Sequence, residues 1–378
     1  MYVWQSQWNG STGLGPHEGA DPGTADLVLL FGSRSALQSP ASIEAIRNRF
    51  PKASLLGCST AGEIHRTRIY DDTVSVTAIR FDRTRVVVRD VAITSPSESE
   101  AAGAALARSF DHEGLVHLFV LSDGLNVNGS ELVRGISDNL PASATFSGGL
   151  SADGEAFGET VVVCGNLVRS KTLVAAGFYG DIEVGCASLG GWDSFGPERL
   201  VTKSAGNILY DLDGKSALEL YKRYLGDHAT MLPGSGLLFP LSVRNPADDS
   251  SVVRTILAIN EETESLTFAG DVPQGWYARL MKANFDRLVD GAIGAARNSV
   301  VRMTKSHPEL AILISCVGRR MVLRQRTEEE LEGVRHAVGP DPRLTGFYSY
   351  GEISPLTPDG KCALHNQTMT ITCLREIS

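Results

Sequence analysis

The chain is 378 residues long, with 42% apolar and 21% charged residues and a formal net charge of -9. Its length exceeds a usual single core, which favours two domains or two closely packed halves. The acidic balance argues against nucleic acid as a partner, because phosphate binding draws on clustered Lys and Arg; no run of about 18 apolar residues exists to cross a membrane, and no signal-type apolar stretch opens the chain, so the reading is cytoplasmic.

Residues 1–26, rich in Gly and polar residues, read as an irregular segment. A continuous apolar run over 27–31 predicts a buried strand. Its loop, 32–40, leads to a helix over 41–49, with Ile43, Ile46 and Phe50 at helical spacing and Pro51 as the stop. A short strand, 54–57, enters a glycine-rich turn. The alternating segments 73–80 and 84–93, joined by Phe81-Asp82-Arg83, read as a β-hairpin, and 101–110 as a helix. The second buried strand is 115–121; after its loop, 122–126, Ser130 is the expected N-cap of a helix running through Leu140. Strands are expected over 160–168, 172–178 and 182–189. The turn sequence Asp211-Leu212-Asp213-Gly214 then divides a first domain, 27–210, from a second, 211–378.

In the second domain Ala217, Leu218, Tyr221, Tyr224 and Leu225 mark one face of a helix. Paired strands follow at 252–260 and 266–269, and a long helix over 277–301. The remaining elements are a strand over 310–316, a loop at Gly318-Arg319-Arg320, a helix over 327–338, and a closing strand over 365–374. Hairpins mixed with strand–helix units predict an α+β or mixed α/β fold, two pseudo-repeated halves whose mixed sheets are covered by helices. The one dense basic stretch (Arg302, Lys305, Arg319, Arg320, Arg324, Arg326) runs straight into Glu328, Glu329 and Glu330, the mixture of a solvated helix face.

One phrase occurs twice. Leu56-Gly57-Cys58-Ser59-Thr60-Ala61-Gly62-Glu63-Ile64 and Thr345-Gly346-Phe347-Tyr348-Ser349-Tyr350-Gly351-Glu352-Ile353 each place a glycine five residues before Gly-Glu-Ile. Each closes the same unit of strand, loop, amphipathic helix and glycine-rich run, and a weaker third copy ends at Gly148-Gly149-Leu150-Ser151. Internal similarity of this kind is a statement about architecture, and it suggests that the glycine-rich turns converge.

These phrases resemble the FIST family of sensory domains over nearly the whole chain. The N-terminal signature is the run from Leu55 to Ile64; the junction resembles Tyr210-Asp211-Leu212-Asp213-Gly214-Lys215-Ser216-Ala217-Leu218. The C-terminal signature is Ser315-Cys316-Val317-Gly318-Arg319-Arg320 with Gly346 to Ile353, closed by Leu364-His365-Asn366-Gln367-Thr368-Met369-Thr370. The resemblance implies a FIST N and C pair acting as an intracellular input module for a small ligand such as an amino acid. With no kinase, cyclase or chemoreceptor segment attached, the output would pass through a separate signalling partner such as a histidine kinase or a cyclase. One branch of the family, the NosP-like proteins, implies the alternative of a haem-binding nitric oxide sensor.

The candidate ligand residues follow from these turns and loops. Gly57, Gly62, Gly346 and Gly351 would let backbone amides approach a ligand, or simply form tight turns. Glu63 and Glu352 would take a ligand's ammonium, or hold their own turns. Ser59, Thr60, Tyr348 and Tyr350 add hydroxyls there. Asp123, Asn126 and Asn128 would present a polar loop at a sheet edge, with capping as the competing role; Arg319 and Arg320 would pair with a carboxylate or with a surface acid. Strand alternation sets His365, Gln367 and Met369 on one face and Asn366, Thr368 and Thr370 on the other. His365 is the candidate haem ligand, with His307 and His336 behind it, against the competing role of a core histidine. No other metal or cofactor is indicated. The six cysteines lack zinc or thioredoxin spacing and read as reduced thiols. Cys58 and Cys316, at strand ends, would be the nucleophiles of a cysteine enzyme, the third reading, or inert buried thiols; a pure scaffold is the fourth.

Overall fold

The computed structural model describes residues 1–19, 21, 23–301, 303, 307–355 and 361–377. Three sheets of the same construction form the body, and a fourth sheet belongs to a separate unit within residues 193–282. The organising element of each body sheet is a parallel pair. Leu27–Gly32 pairs with Ser54–Ser59 in the first, Leu115–Ser122 with Thr145–Leu150 in the second, and Leu310–Cys316 with Arg343–Ser349 in the third. An antiparallel strand flanks the first member of each pair: Val74–Arg80, Thr172–Gly180 and Met369–Glu376 respectively. The fold is mixed α+β.

The small strands after each glycine-rich turn are exchanged cyclically. Glu63–His65 leaves the first unit to pair with Arg343–Ser349. Val162–Cys164 leaves the second to pair with Ser54–Ser59, and Gly351–Pro355 leaves the third to pair with Thr145–Leu150. Each sheet is thus completed by the unit that follows it in cyclic order, and the weak third copy in the sequence is a full structural one.

The continuous apolar runs are explained by burial on both faces. Leu29 and Phe31, Phe119 and Leu121, and Ile312 and Ile314 point to a common centre, where Phe31 and Phe347 stack with centroids 4.8 Å apart. The alternate residues face helices. Val28 and Leu30 meet Leu37 and Ile46, while Leu118 and Val120 share a core with Leu106, Leu132 and Ile136.

Several expected elements differ. The first 26 residues are not wholly irregular: Tyr2–Asn9 is a strand paired with Val74–Arg80, burying Trp4 and Trp8. Its polar interruptions hid it, yet Gln5 is buried and donates to Leu344 O at 2.9 Å. Segments 73–80 and 84–93 are not a hairpin; Thr84–Ala92 pairs with Thr172–Gly180 in another sheet. Glu376 accepts the backbone N–H groups of Asp82, Arg83 and Thr84 and so fixes the corner between the two sheets.

The strand over 160–168 turns at Gly165, φ +58°, into two short strands. Asn128, not Ser130, caps Gly129–Ser137, accepting from Ser130 N at 3.1 Å. The long helix begins only at Phe285, because Tyr277–Lys282 alternates and pairs with Leu241–Arg244. Gly318-Arg319-Arg320 lies on the helix Val317–Leu323 rather than in a loop. The closing strand is Met369–Glu376. His365 ends a different strand, Cys362–His365, and Gln367 with φ +64° turns the chain between them, so the expected alternation across 365–370 does not exist. Among the described residues no helix is long and apolar enough to cross a membrane.

Candidate functional site

The three glycine-rich turns meet in a closed ring of backbone hydrogen bonds. Ala61 N donates to Tyr348 O at 2.8 Å, Tyr350 N to Leu150 O at 3.3 Å, and Ala152 N to Ser59 O at 2.9 Å. Gly57, Gly148 and Gly346 occupy corresponding places, where a Cβ would stand 2.1, 1.8 and 1.8 Å from the carbonyl oxygens of Leu30, Val120 and Leu313. Donors and acceptors fall at corresponding positions of the three units, so the convergence expected from the repeats is a quasi-threefold junction.

Glu63 and Glu352 occupy corresponding places in it, with matching partners. Glu63 accepts the hydroxyls of Thr60 at 3.0 Å and Thr73 at 2.9 Å. Glu352 accepts those of Ser349 at 2.6 Å and Thr368 at 2.8 Å. Both side chains are buried, and burial pushes each carboxyl up to about 8 against the opposing pull of those hydroxyls. Each is the anchor of its own turn. Of the two, Glu63 borders a cleft described below, whereas Glu352 lies fully buried.

Most other candidates are also committed to the interior. Asp123 accepts from Leu125 N and Asn126 N, both at 2.8 Å, and from Lys171 N at 2.7 Å, which makes it a loop-former; Asn126 bonds it in turn. Arg319 is fully buried and pairs with Glu330, itself fully buried, at 2.8 Å. It also donates to Leu288 O at 2.6 Å and Gly190 O at 3.2 Å. Glu330 further accepts from Tyr348 Oη at 2.7 Å and Ser315 Oγ at 3.0 Å. The expected solvated face therefore holds a buried ion pair; of that basic stretch, Arg302 and Lys305 lie outside the described residues.

Ser59 Oγ accepts from Val161 N at 3.0 Å, Asn366 Nδ2 donates to Tyr350 O at 3.0 Å, and Gly351 packs against Leu150. The Cys58 and Cys316 thiols are buried, and desolvation raises the pKa of both well above the usual range. His365 is buried with Nε2 bonded to Ser354 O at 2.8 Å, and burial lowers its pKa to about 4. An imidazole so enclosed and engaged does not fit as a haem ligand.

The structure brings a smaller set together at two adjoining clefts. The larger, about 720 Å³, is bordered by Ala61, Gly154, His228, Met231, Leu238, Val317, Met321 and Arg324. The smaller, about 260 Å³, is bordered by Ser33, Arg34, Thr60, Gly62, Glu63, Asp71, Asp72 and Asp153. Arg320 lines both. One position along the helix Val317–Leu323 turns the side chain by about 100°, which is why Arg319 faces the core and Arg320 the clefts.

The Arg320 guanidinium lies on Gly62, whose φ is +127° and whose absent Cβ would stand 2.3 Å from Nη1. Nη1 donates to Ala61 O at 2.6 Å, and the group makes two bonds to Asp71, at 2.7 and 2.6 Å. Thr60, Gly62 and Glu63 were legible as candidates from the repeat. Asp71 and Asp153 carried no sequence signal, and Asp153 holds the far wall by accepting from Gly158 N and Glu159 N at 2.9 Å and from Tyr350 Oη.

Comparison with known proteins places this architecture. No curated protein matches the sequence. Among solved structures the chain is similar to a cyanuric acid hydrolase from A. caulinodans, at a TM-score of 0.33 and 8% identity over 94% of this chain and 92% of that one, a likeness too low to carry an argument. Two family models match in succession, the FIST N domain over residues 26–215 and the FIST C domain over 217–355. With both domains matched in order along most of its length, the chain belongs to the FIST family of sensory, ligand-binding signal-transduction domains.

Proposed function

We propose that this FIST pair is a receptor for an amino acid with an apolar side chain, bound in the clefts on either side of Arg320. The observation that carries the reading is the chemistry of the joined clefts. An apolar wall of Met231, Leu238, Val317 and Met321 adjoins a polar end with a guanidinium and several carboxylates, the division expected of a small-molecule site. The ligand carboxylate would bond to Arg320, where a planar fork suits it. Its ammonium would lie toward Asp153, with the protonated Glu63 carboxyl beside it, and its side chain against the methionines.

The walls support a sensory mechanism. Ala61, Thr60 and Gly154 fall within the matched N domain, whereas His228, Met231 and Arg320 fall within the matched C domain. A ligand that binds one arrangement of these walls more tightly than another shifts their balance, with residues 27–210 and 211–378 as the proposed moving parts. A separate signalling protein, such as a histidine kinase or a cyclase, would read the shift.

Thermal melting of the purified protein against the twenty amino acids tests this. A ligand at about 100 times its dissociation constant adds about 2.7 kcal/mol, a rise of a few degrees. The expected result is a selective shift for apolar amino acids that Arg320→Ala abolishes. Silence across the panel, or a shift that survives Arg320→Ala, would overturn the assignment.

A further inference from the structure

Arg320 is already engaged by an anion. Asp71 meets it with both carboxylate oxygens, Oδ1 to Nη1 at 2.7 Å and Oδ2 to Nη2 at 2.6 Å. This two-pronged geometry is the one a ligand carboxylate would adopt on a guanidinium. Asp71 is 61% exposed in its side chain, against 28% for Arg320. It lies in the short connection between Arg68–Tyr70 and Val74–Arg80, so the acid comes from an exposed turn while the arginine is seated.

The seat is fixed by other contacts. Nη1 also donates to Ala61 O, the guanidinium lies on Gly62, and its carbon stands 5.8 Å from the centre of the Tyr348 ring. These contacts remain when Asp71 swings outward, so Arg320 keeps its place with one face of the fork opened.

We propose that Asp71 is a built-in competitor that occupies the carboxylate position of the ligand site and sets both its affinity and its preference for a strong anion. The inference rests on the amino-acid reading above. A ligand carboxylate binds by displacing the Asp71 carboxylate into solvent, and a neutral amide cannot make that exchange with charge conserved at the arginine. Because the pair is partly exposed, it is screened, and its contribution stays within the range of solvent-facing ion pairs, up to about 1 kcal/mol. By the tenfold-per-1.4 kcal/mol relation, its removal tightens carboxylate binding about two- to fivefold.

The test is calorimetric titration of L-leucine and L-leucinamide into the full chain, as wild type and as the Asp71→Asn, Asp71→Ala and Arg320→Lys variants. The exposed position of Asp71 keeps its variants folded, which their melting temperatures check. Two- to fivefold tighter leucine binding by both Asp71 variants, no gain for leucinamide, and loss in Arg320→Lys are the expected results. Leucine binding by the wild type that is unchanged in the Asp71 variants overturns the competitor role and leaves the site assignment standing. An equal gain for leucinamide overturns it as well, since the gain would then not concern charge. Silence of leucine and of the other apolar amino acids on every protein overturns both readings.

Discussion

Glu330→Gln removes the charge that neutralises Arg319 without changing the size of the side chain. Both residues are fully buried and joined at 2.8 and 3.1 Å. Glu330 also accepts from Tyr348 and Ser315, so the carboxylate is the hub of four donors. Breaking a buried pair from one side costs about 3–5 kcal/mol, because the remaining charge stays desolvated without a counter-ion. At a urea slope of about 3 kcal/mol per M, the midpoint of unfolding falls by about 1 M or more. Arg319→Met costs a similar amount, and it also orphans the carbonyls of Leu288 and Gly190. The double variant Arg319→Met with Glu330→Leu costs far less than the sum of the singles, since no charge is then left behind. Urea titrations followed by far-ultraviolet circular dichroism measure all three. A midpoint lowered by less than about 0.3 M in Glu330→Gln, or strict additivity of the pair, refutes the reasoning.

Stability should peak near neutral pH from two opposed groups of residues. Glu63 and Glu352 hold their protons up to about 8 in the fold against 4.5 as the ordinary value. The unfolded chain then carries fewer protons between those limits, and stability falls as pH rises through that window, by about 1.4 kcal/mol per unit for each group. His65, His117 and His365 are lowered by burial to about 4, 3 and 4 from 6.5, so their contribution is full above 6.5 and lost as pH falls below it. Melting against pH in Glu63→Gln with Glu352→Gln should flatten the alkaline limb; an unchanged limb refutes the carboxyl assignment. Gly346→Ala sets a Cβ 1.8 Å from Leu313 O and should cost about 3 kcal/mol or more. Gly214→Ala, with φ +71° and nothing within 4 Å, should cost about 1 kcal/mol, and comparable urea midpoints for the two would count against the close approach. Gly62→Ala displaces the guanidinium of Arg320 and should remove the amino-acid response in melting while the fold survives. In the native protein Cys58 and Cys316 should label only as fast as it opens, and rapid labelling at pH 7 would restore the cysteine-enzyme reading.

The sequence by itself determined the buried strands, the glycine-rich turns that follow them and the repetition of that unit. A run such as Leu27 to Phe31 is buried whichever neighbour it takes, and a glycine recurring at the same place in a repeated phrase is visible without knowing which strand's carbonyl it lies against. The family was legible for the same reason, since its signatures are these turns. Partnership between distant elements was decided only by the tertiary structure. Nothing within 84–93 says that it pairs with 172–180, because Glu376, at the far end of the chain, sets the corner that sends it there. Glu330 looks like its acidic neighbours until Arg319 is placed beside it in the core. Glu63 and Glu352 are alike in sequence and in bonding, yet Glu63 borders the cleft lined by Arg320 while Glu352 is fully buried, because the wall containing Arg320 stands beside the first turn. Sequence spacing fixes which groups share a turn or a face; whether such a group meets solvent, a counter-ion or a ligand depends on what long-range packing brings opposite it.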